Sequence, residues 1–137
     1  MSDSDNTFDY IVIGAGSAGC VIANRLSADP NVRVLLLEAG HKGEGFWYRV
    51  PIGLGKLVDN AKACWMYEIE PGEGSGNRPI SWPRGKSLGG SSAINGMLYV
   101  RGLAYDYDLW RQMGNTGWSY EDVLPYFRKS QTQTRGG

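Results

Sequence analysis

The architecture of this chain is set by the segment Phe8-Asp9-Tyr10-Ile11-Val12-Ile13-Gly14-Ala15-Gly16-Ser17-Ala18-Gly19. Its first half, residues 8–13, is rich in β-branched and aromatic residues, which predicts a buried β-strand. Behind the glycines, apolar residues recur at helical spacing up to Leu26, and the pattern stops between Ser27 and Pro30. The segment therefore predicts a strand, a glycine turn and a helix in direct succession.

A second apolar run follows at residues 32–37, and it ends at Glu38. Two strands joined by one helix within about 30 residues predict a strand–helix–strand unit with parallel strands and a right-handed connection. The fold class predicted is therefore α/β, with a parallel sheet of the Rossmann type.

The glycines between the first strand and the helix keep the spacing G-x-G-x-x-G. At this spacing Gly14 allows a tight turn, Gly16 lets the backbone approach a pyrophosphate, and Gly19 lets helix and strand pack closely. The pyrophosphate is expected at the helix N-terminus, near Ser17 and Ala18. The alternative is a glycine turn with a purely structural role.

Glu38 lies about 20 residues beyond the glycines, at the end of the second predicted strand. An acid at this distance accepts hydrogen bonds from ribose hydroxyls, and its charge disfavours a 2′-phosphate. Together the glycines and the acid predict a dinucleotide site. His41, the only histidine, is expected to be an ordinary loop residue near the adenine end.

A second glycine-rich stretch spans residues 82–102. Gly89-Gly90 allows close approach of the backbone to a flat ligand, and Ser91-Ser92 are predicted to cap a short helix whose N-terminus faces that ligand. Such clusters are often solvent-exposed loops. Here an apolar run follows at once, which favours a buried, ligand-facing position: Ile94, Met97, Leu98, Tyr99 and Val100.

Residues 41–80 predict a long connection that covers a ligand, with a short helix over 54–60 and a strand over 64–69. The aromatic and thioether side chains of this region are expected to need burial: Trp47, Tyr48, Trp65, Met66 and Tyr67. Further along, residues 105–113 predict a helix. Ser119 and Asp122 predict a capping box for another helix, which Pro125 is expected to interrupt or restart.

Composition excludes several classes of function. The chain has 14 basic and 14 acidic residues, a formal net charge of zero, so neither nucleic acid nor an anionic membrane is predicted as a partner.

Cys20 and Cys64 suit neither a disulfide framework nor a metal site, and both are expected to be buried. The N-terminus lacks the pattern of a signal peptide, and no apolar run is long enough to span a membrane. A cytoplasmic location is expected, with peripheral attachment to the inner membrane left open.

The two glycine motifs together resemble those of the glucose–methanol–choline (GMC) oxidoreductases, which are FAD-dependent alcohol oxidases and dehydrogenases. The first resemblance covers residues 9–19, 24–27 and 37–40, and the second covers 83–102. The chain looks most similar to the bacterial choline and aliphatic-alcohol dehydrogenases.

The resemblance implies positions for FAD. Ser17, Ala18 and Glu38 would hold its ADP half. Some relatives attach the flavin to a histidine where this chain has Ile94, so the FAD is expected to be non-covalent. The residues implied along the ribityl chain and the isoalloxazine are Trp65, Gly90, Asn95, Gly96 and Met97.

Members of this family are longer, and their catalytic histidine lies downstream. Residues 1–137 are therefore expected to be the N-terminal portion of an FAD-binding domain, with an incomplete sheet and no catalytic residue. The resemblance implies that the whole enzyme transfers a hydride from a primary alcohol, choline-like or aliphatic, to the flavin and forms an aldehyde. The electron acceptor is not predicted. Two alternatives remain: a nucleotide-binding module without turnover, and an NAD-dependent dehydrogenase.

Overall fold

The computed structural model describes residues 7–132. Residues 1–6, on which the signal-peptide prediction depends, and 133–137 at the end of the chain lie outside the described residues. The chain divides into two compact units, 1–98 and 99–137. In chain order the helices and strands are β1 (Tyr10–Ile13), α1 (Ser17–Leu26), β2 (Val34–Leu37), α2 (Phe46–Arg49), α3 (Leu54–Leu57), β3 (Cys64–Ile69), β4 (Ile80–Gly85), α4 (Ala104–Gln112) and α5 (Tyr120–Ser130). Short 3₁₀ helices cover Pro51–Gly53, Glu73–Ser75 and Gly90–Ala93.

The first unit begins with the predicted strand–helix–strand arrangement. β1 and β2 pair in parallel, from Tyr10 opposite Val34 to Ile13 opposite Leu37. Each strand starts two residues later than the apolar pattern predicts. The reason is local, because the Asp9 carboxylate accepts a hydrogen bond from the Arg33 amide at 2.7 Å just before the ladder.

The prediction that these two strands are buried is wrong. No residue of β1 or β2 is fully buried, and Ile13 is 85% exposed. The sheet has two strands, too few to enclose an apolar layer. The buried core of the described residues lies elsewhere, where Leu57, Ala63, Cys64 and Ile94 meet, with Tyr48 packed beside them.

An antiparallel hairpin forms the second sheet of the unit. β3 confirms the strand predicted over 64–69, and it pairs with β4 from Cys64 opposite Gly85 to Ile69 opposite Ile80. Pro83 is tolerated in β4 because both strands of a two-stranded sheet are edge strands, where a residue without an amide donor can be accommodated. The helix predicted over 54–60 is shorter, since α3 ends at Leu57 and a turn bond from the Asn60 amide to the Leu57 carbonyl follows.

Burial of the aromatic residues was also predicted wrongly. Tyr48 packs against the core, but Trp47, Trp65, Met66 and Tyr67 are exposed. Trp65 and Tyr67 instead stack on one another along β3, with ring centroids 6.4 Å apart.

The two cysteines differ in their surroundings. Cys64 is buried as predicted, but Cys20 is exposed, because α1 has no buried residue.

In the second unit, α4 and α5 pack through aromatic rings, with Tyr107 contacting Trp110, Tyr120 and Phe127. The predicted capping box is confirmed, since Ser119 Oγ accepts from the Asp122 amide and Asp122 accepts from the Ser119 amide. α5 continues through Pro125 without interruption, so the predicted break is wrong. The missing amide removes one helical hydrogen bond, and those on either side keep the helix intact.

No helix within residues 7–132 is both long enough and apolar enough to cross a bilayer.

Candidate functional site

The loop between β1 and α1 has the geometry that its glycines predict. Gly14 has a φ of +93° and donates its amide to the Leu37 carbonyl at 2.7 Å, which makes the tight turn at the sheet edge. A Cβ at Gly19 would lie 1.9 Å from the Gly14 carbonyl oxygen. Helix and turn are therefore closer than any side chain at residue 19 would permit.

The N-terminus of α1 has no side-chain cap. Its N-cap is Gly16 and its first residue is Ser17, so no side chain accepts from the amides of the first turn. A Cβ at Gly16 would have no neighbour within 4 Å. The backbone here borders open space and presents donors together with the positive end of the helix dipole, which suits an anionic group.

Glu38 connects the end of β2 to this loop. One carboxylate oxygen accepts from the Ala15 amide and the other from the Gly40 amide, both at 2.8 Å. These two hydrogen bonds from backbone amides to Glu38 were not predicted from the sequence. Each oxygen has a second acceptor position, so the carboxylate can still receive a hydroxyl donor.

The second glycine motif docks directly on the first. The Gly89 amide donates to the Ala15 carbonyl at 2.8 Å, and a Cβ at Gly90 would lie 2.9 Å from Gly16 Cα. Gly89 and Gly90 both have positive φ values, +93° and +55°. The two loops touch backbone to backbone, and this approach depends on the missing side chains.

The serines of the second motif do not cap the 3₁₀ helix Gly90–Ala93, contrary to prediction. Its N-cap is Gly89, with no side-chain bond to the helix amides. Ser91 Oγ instead accepts from the Gly85 amide at 3.1 Å, and Ser92 Oγ donates to the Gly89 carbonyl at 2.6 Å. Both hydroxyls are thus used to shape the loop.

A cleft of about 510 Å³ opens between the two loops and the β3–β4 hairpin. It brings together five of the predicted site residues: Gly14, Gly16, Glu38, Trp65 and Gly90. Ser17, Ala18 and Gly19 belong to the adjacent first turn of α1 and do not line the cleft.

A smaller cleft of about 200 Å³ lies on the other side of Gly90–Ala93. Three predicted residues line it, Ile94, Asn95 and Met97, whereas Gly96 does not. Met97 adopts a φ of +58° and donates its amide to Asn95 Oδ1 at 2.9 Å. A left-handed residue other than glycine costs about 1–2 kcal/mol, so the surrounding structure holds this turn in place.

The apolar run after the second glycine motif is largely exposed. Ile94 is buried, but the side chains that follow it are not, and the expectation that the whole run is buried is wrong: Met97, Leu98, Tyr99 and Val100. The segment has no strand or helix, so no regular element presses these side chains onto the core.

His41 lines neither cleft. Its Nδ1 accepts from the Gly43 amide at 3.0 Å, so in the neutral ring Nε2 carries the proton and donates to the Tyr48 hydroxyl at 3.1 Å. Burial raises the pKa of Tyr48, while the nearby Ser87 hydroxyl acts in the opposite direction. His41 therefore has a structural role, since it connects the 41–49 segment internally.

Within residues 7–132, no group of three or more histidine, cysteine, aspartate or glutamate side chains is arranged to hold a metal ion.

Known proteins share this sequence and geometry. The chain is 48% identical over 132 residues to an oxygen-dependent choline dehydrogenase of Photobacterium profundum. The aligned residues cover 96% of this chain and 23% of that protein. It is 45% identical over 128 residues to an alcohol dehydrogenase [acceptor] of Pseudomonas putida, covering 93% of this chain and 23% of that protein. Among solved structures, pyridoxine 4-oxidase from Mesorbium loti matches with a TM-score of 0.81 and 36% identity, over 88% of this chain and 24% of that one.

The chain thus spans about a quarter of the length of the relatives that it matches. The sequence model of the GMC oxidoreductases matches residues 8–135, which is nearly the whole chain. The resemblance seen in the two glycine motifs is therefore confirmed, and the chain belongs to the GMC oxidoreductase family.

Proposed function

We propose that this chain binds FAD as part of an enzyme that oxidises the CH–OH group of a primary alcohol, choline-like or aliphatic, to an aldehyde. Residues 1–137 would be the N-terminal portion of its FAD-binding domain. The observation that carries this proposal is the docking of the second glycine loop on the first, through the 2.8 Å bond from the Gly89 amide to the Ala15 carbonyl. The first loop alone suffices for the ADP half of a dinucleotide, so a second glycine loop docked on it favours a cofactor whose other half lies against that second loop, as proposed for the flavin of FAD.

The first cleft fits the ADP half of FAD. An uncapped helix N-terminus suits the pyrophosphate, and Glu38, at the end of β2, suits the ribose hydroxyls. The residues proposed for this half are Gly14, Gly16, Ser17, Ala18, Gly19 and Glu38. Gly19 would act through close packing of helix and turn rather than by touching the ligand.

The flavin half would extend past the 3₁₀ helix Gly90–Ala93, which contributes to the walls of both clefts. The residues proposed for this half are Trp65, Gly90, Ile94, Asn95, Gly96 and Met97. Because Ile94 has no nucleophilic atom, the FAD would be held without a covalent bond. When bound, FAD supplies the acceptor for the hydride that leaves the carbinol carbon.

The alcohol substrate class rests on the relatives, which are a choline dehydrogenase and an alcohol dehydrogenase. The cytoplasmic location stays a prediction.

One observation favours binding without turnover by the chain alone. Its only histidine, His41, donates to the Tyr48 hydroxyl and lines neither cleft. A general base must reach the proton that it removes, and the described residues offer no histidine there. The chain alone is therefore expected to bind FAD and to leave alcohols unchanged.

The test is to purify the 137-residue chain and to record its visible absorbance after addition of FAD and gel filtration. Dye reduction is then measured with choline and with an aliphatic primary alcohol. Retained flavin without alcohol-dependent dye reduction is the expected result. Retention of NAD in place of FAD would overturn the cofactor, and steady dye reduction would show that the chain contains its own base.

A further inference from the structure

Within residues 7–132, two tryptophans each carry a cation over the ring, and they differ in one respect. Lys86 Nζ lies 4.1 Å from the centroid of the Trp65 ring, and the Arg84 guanidinium lies 4.6 Å from that of Trp82. Trp65 lines the first cleft, whereas Trp82 does not. Both tryptophans are partly exposed, at 39% and 44%.

The backbone of Lys86 is fixed from two sides. Its amide donates to the Ala63 carbonyl at 2.7 Å, next to the buried core. Its carbonyl oxygen lies so close to Gly40 that a Cβ there would approach it to 2.0 Å. The ammonium group is thus attached to a rigid point between the core and the loop that follows β2.

Trp65, by comparison, lacks close packing. It is on the exposed face of a two-stranded hairpin, where Tyr67 stacks beside it. An indole that is 39% exposed on such a surface can change rotamer unless a contact selects one. A cation over the ring face supplies such a contact, because it is attracted by the negative face of the aromatic system.

We propose that Lys86 is a positioning residue for Trp65: its ammonium group holds the indole in the orientation that forms the wall of the FAD cleft. The inference rests on the proposed function, since it takes FAD as the ligand of that cleft. Lys86 acts through the indole and does not itself contact the ligand. Arg84 forms a comparable pair with Trp82, which lines neither cleft.

The test compares FAD dissociation constants, by titration of intrinsic and flavin fluorescence, in the full chain and three variants. Lys86→Met keeps the apolar stem and removes the charge, Lys86→Arg keeps a cation, and Arg84→Met is the matched control. We expect Lys86→Met to weaken FAD binding by about two- to fivefold, the value of one exposed cation–π pair. Lys86→Arg should restore most of the affinity, and Arg84→Met should leave it unchanged.

A double-mutant cycle separates positioning from direct contact. In a Trp65→Leu background, Lys86→Met should have no further effect on FAD affinity, because the indole through which it acts is gone. If the loss persists in that background, Lys86 contacts the ligand directly and the proposal is overturned. Equal affinities of Lys86→Met and Arg84→Met would overturn it as well.

A measurement without ligand keeps this inference separate from the proposed function. The indole N–H resonance of Trp65, assigned with Trp65→Phe, should shift in Lys86→Met and stay in place in Arg84→Met. Failure of the wild-type chain to bind FAD would refute the proposed function, and with it the role of Trp65 in an FAD site. An unmoved Trp65 resonance would refute the positioning role alone.

Discussion

Gly16 and Gly19 are three residues apart, yet their surroundings predict opposite consequences of the same substitution. A Cβ at Gly19 would lie 1.9 Å from the Gly14 carbonyl oxygen, whereas one at Gly16 would meet no neighbour. Gly19→Ala should therefore lower the free energy of unfolding by about 1–3 kcal/mol, the usual cost of overpacking. Gly16→Ala should cost less than about 1 kcal/mol and should weaken FAD binding, because its methyl group enters the cleft. Urea unfolding and FAD titration of both variants check the pair, and a more stable Gly19→Ala protein would contradict the account.

Burial and the nearby Asp59 carboxylate raise the pKa of the Cys64 thiol. A raised folded pKa means that Cys64 stabilises the fold fully below the unfolded value of 9.0, and this contribution is lost as the pH rises through the folded pKa. The free energy of unfolding of the wild type should thus fall relative to that of Cys64→Ala as the pH rises above 9.0. Cys20→Ala, at the exposed thiol, serves as the control and should follow the wild type. A parallel pH dependence of wild type and Cys64→Ala would rule out this coupling.

At this scale the sequence predicted the turn glycine and the packing glycine, because a fixed spacing between strand and helix leaves their backbones few alternatives. It did not predict that the Glu38 carboxylate accepts hydrogen bonds from the backbone amides of Ala15 and Gly40 and so holds the loop. A carboxylate at the end of a strand can receive a ligand hydroxyl or a backbone amide, and spacing alone does not distinguish them. The sequence also predicted that Ser91 and Ser92 cap a helix. Gly89 is left-handed, and both hydroxyls bond to the backbone of the loop, at Gly85 and Gly89, in place of the helix amides.

Among the elements, α5 depends on a cap that the sequence predicted. Ser119 Oγ accepts from the Asp122 amide, so Ser119→Ala should reduce stability by about 1 kcal/mol. Ser130→Ala, which removes a hydroxyl bonded to the Phe127 carbonyl at the other end of α5, is the control and should have a smaller effect. Thermal unfolding followed by circular dichroism compares the two, and equal losses would argue against the cap.

The same cap should depend on pH. Hydrogen bonds from the Ser119 hydroxyl and amide lower the pKa of Asp122. The stabilisation that goes with a lowered pKa is present above 3.8 and is lost as the pH falls through the folded pKa. The difference in stability between wild type and Ser119→Ala should therefore shrink in acid. A difference that stays constant down to pH 2 would contradict the role of the Asp122 carboxylate.

Elements with strong local signals were predicted well: the strand–helix–strand unit, β3, α4 and α5. Burial was predicted poorly, because it depends on what covers an element. The apolar residues of β1 and β2 indicated a buried sheet, but Ile13 is 85% exposed and the core forms around Leu57 and Ile94. Residue types show which surfaces need a cover, and they do not show which segment provides it.

At the scale of the whole molecule, we propose that two glycine loops form a single cradle for FAD, although the residues in contact, Ala15 and Gly89, are 74 positions apart in sequence. Their contact is specific enough to test, since a Cβ at Gly90 would lie 2.9 Å from Gly16 Cα and would require a left-handed alanine. Gly55 is the matched control, because a Cβ there meets nothing within 4 Å.

The most direct measurement is the FAD dissociation constant of the wild-type chain, Gly90→Ala and Gly55→Ala, determined by flavin fluorescence titration with folding checked by circular dichroism. The account predicts that the wild type and Gly55→Ala bind FAD alike. It predicts that Gly90→Ala binds FAD about tenfold more weakly. The free loop would move away from Gly16 to relieve the clash and the left-handed strain, and FAD binding would have to restore the docked loop at a cost of about 1–2 kcal/mol. Equal affinity of all three proteins, or no FAD binding by a folded wild type, would contradict the claim that the two loops form one site.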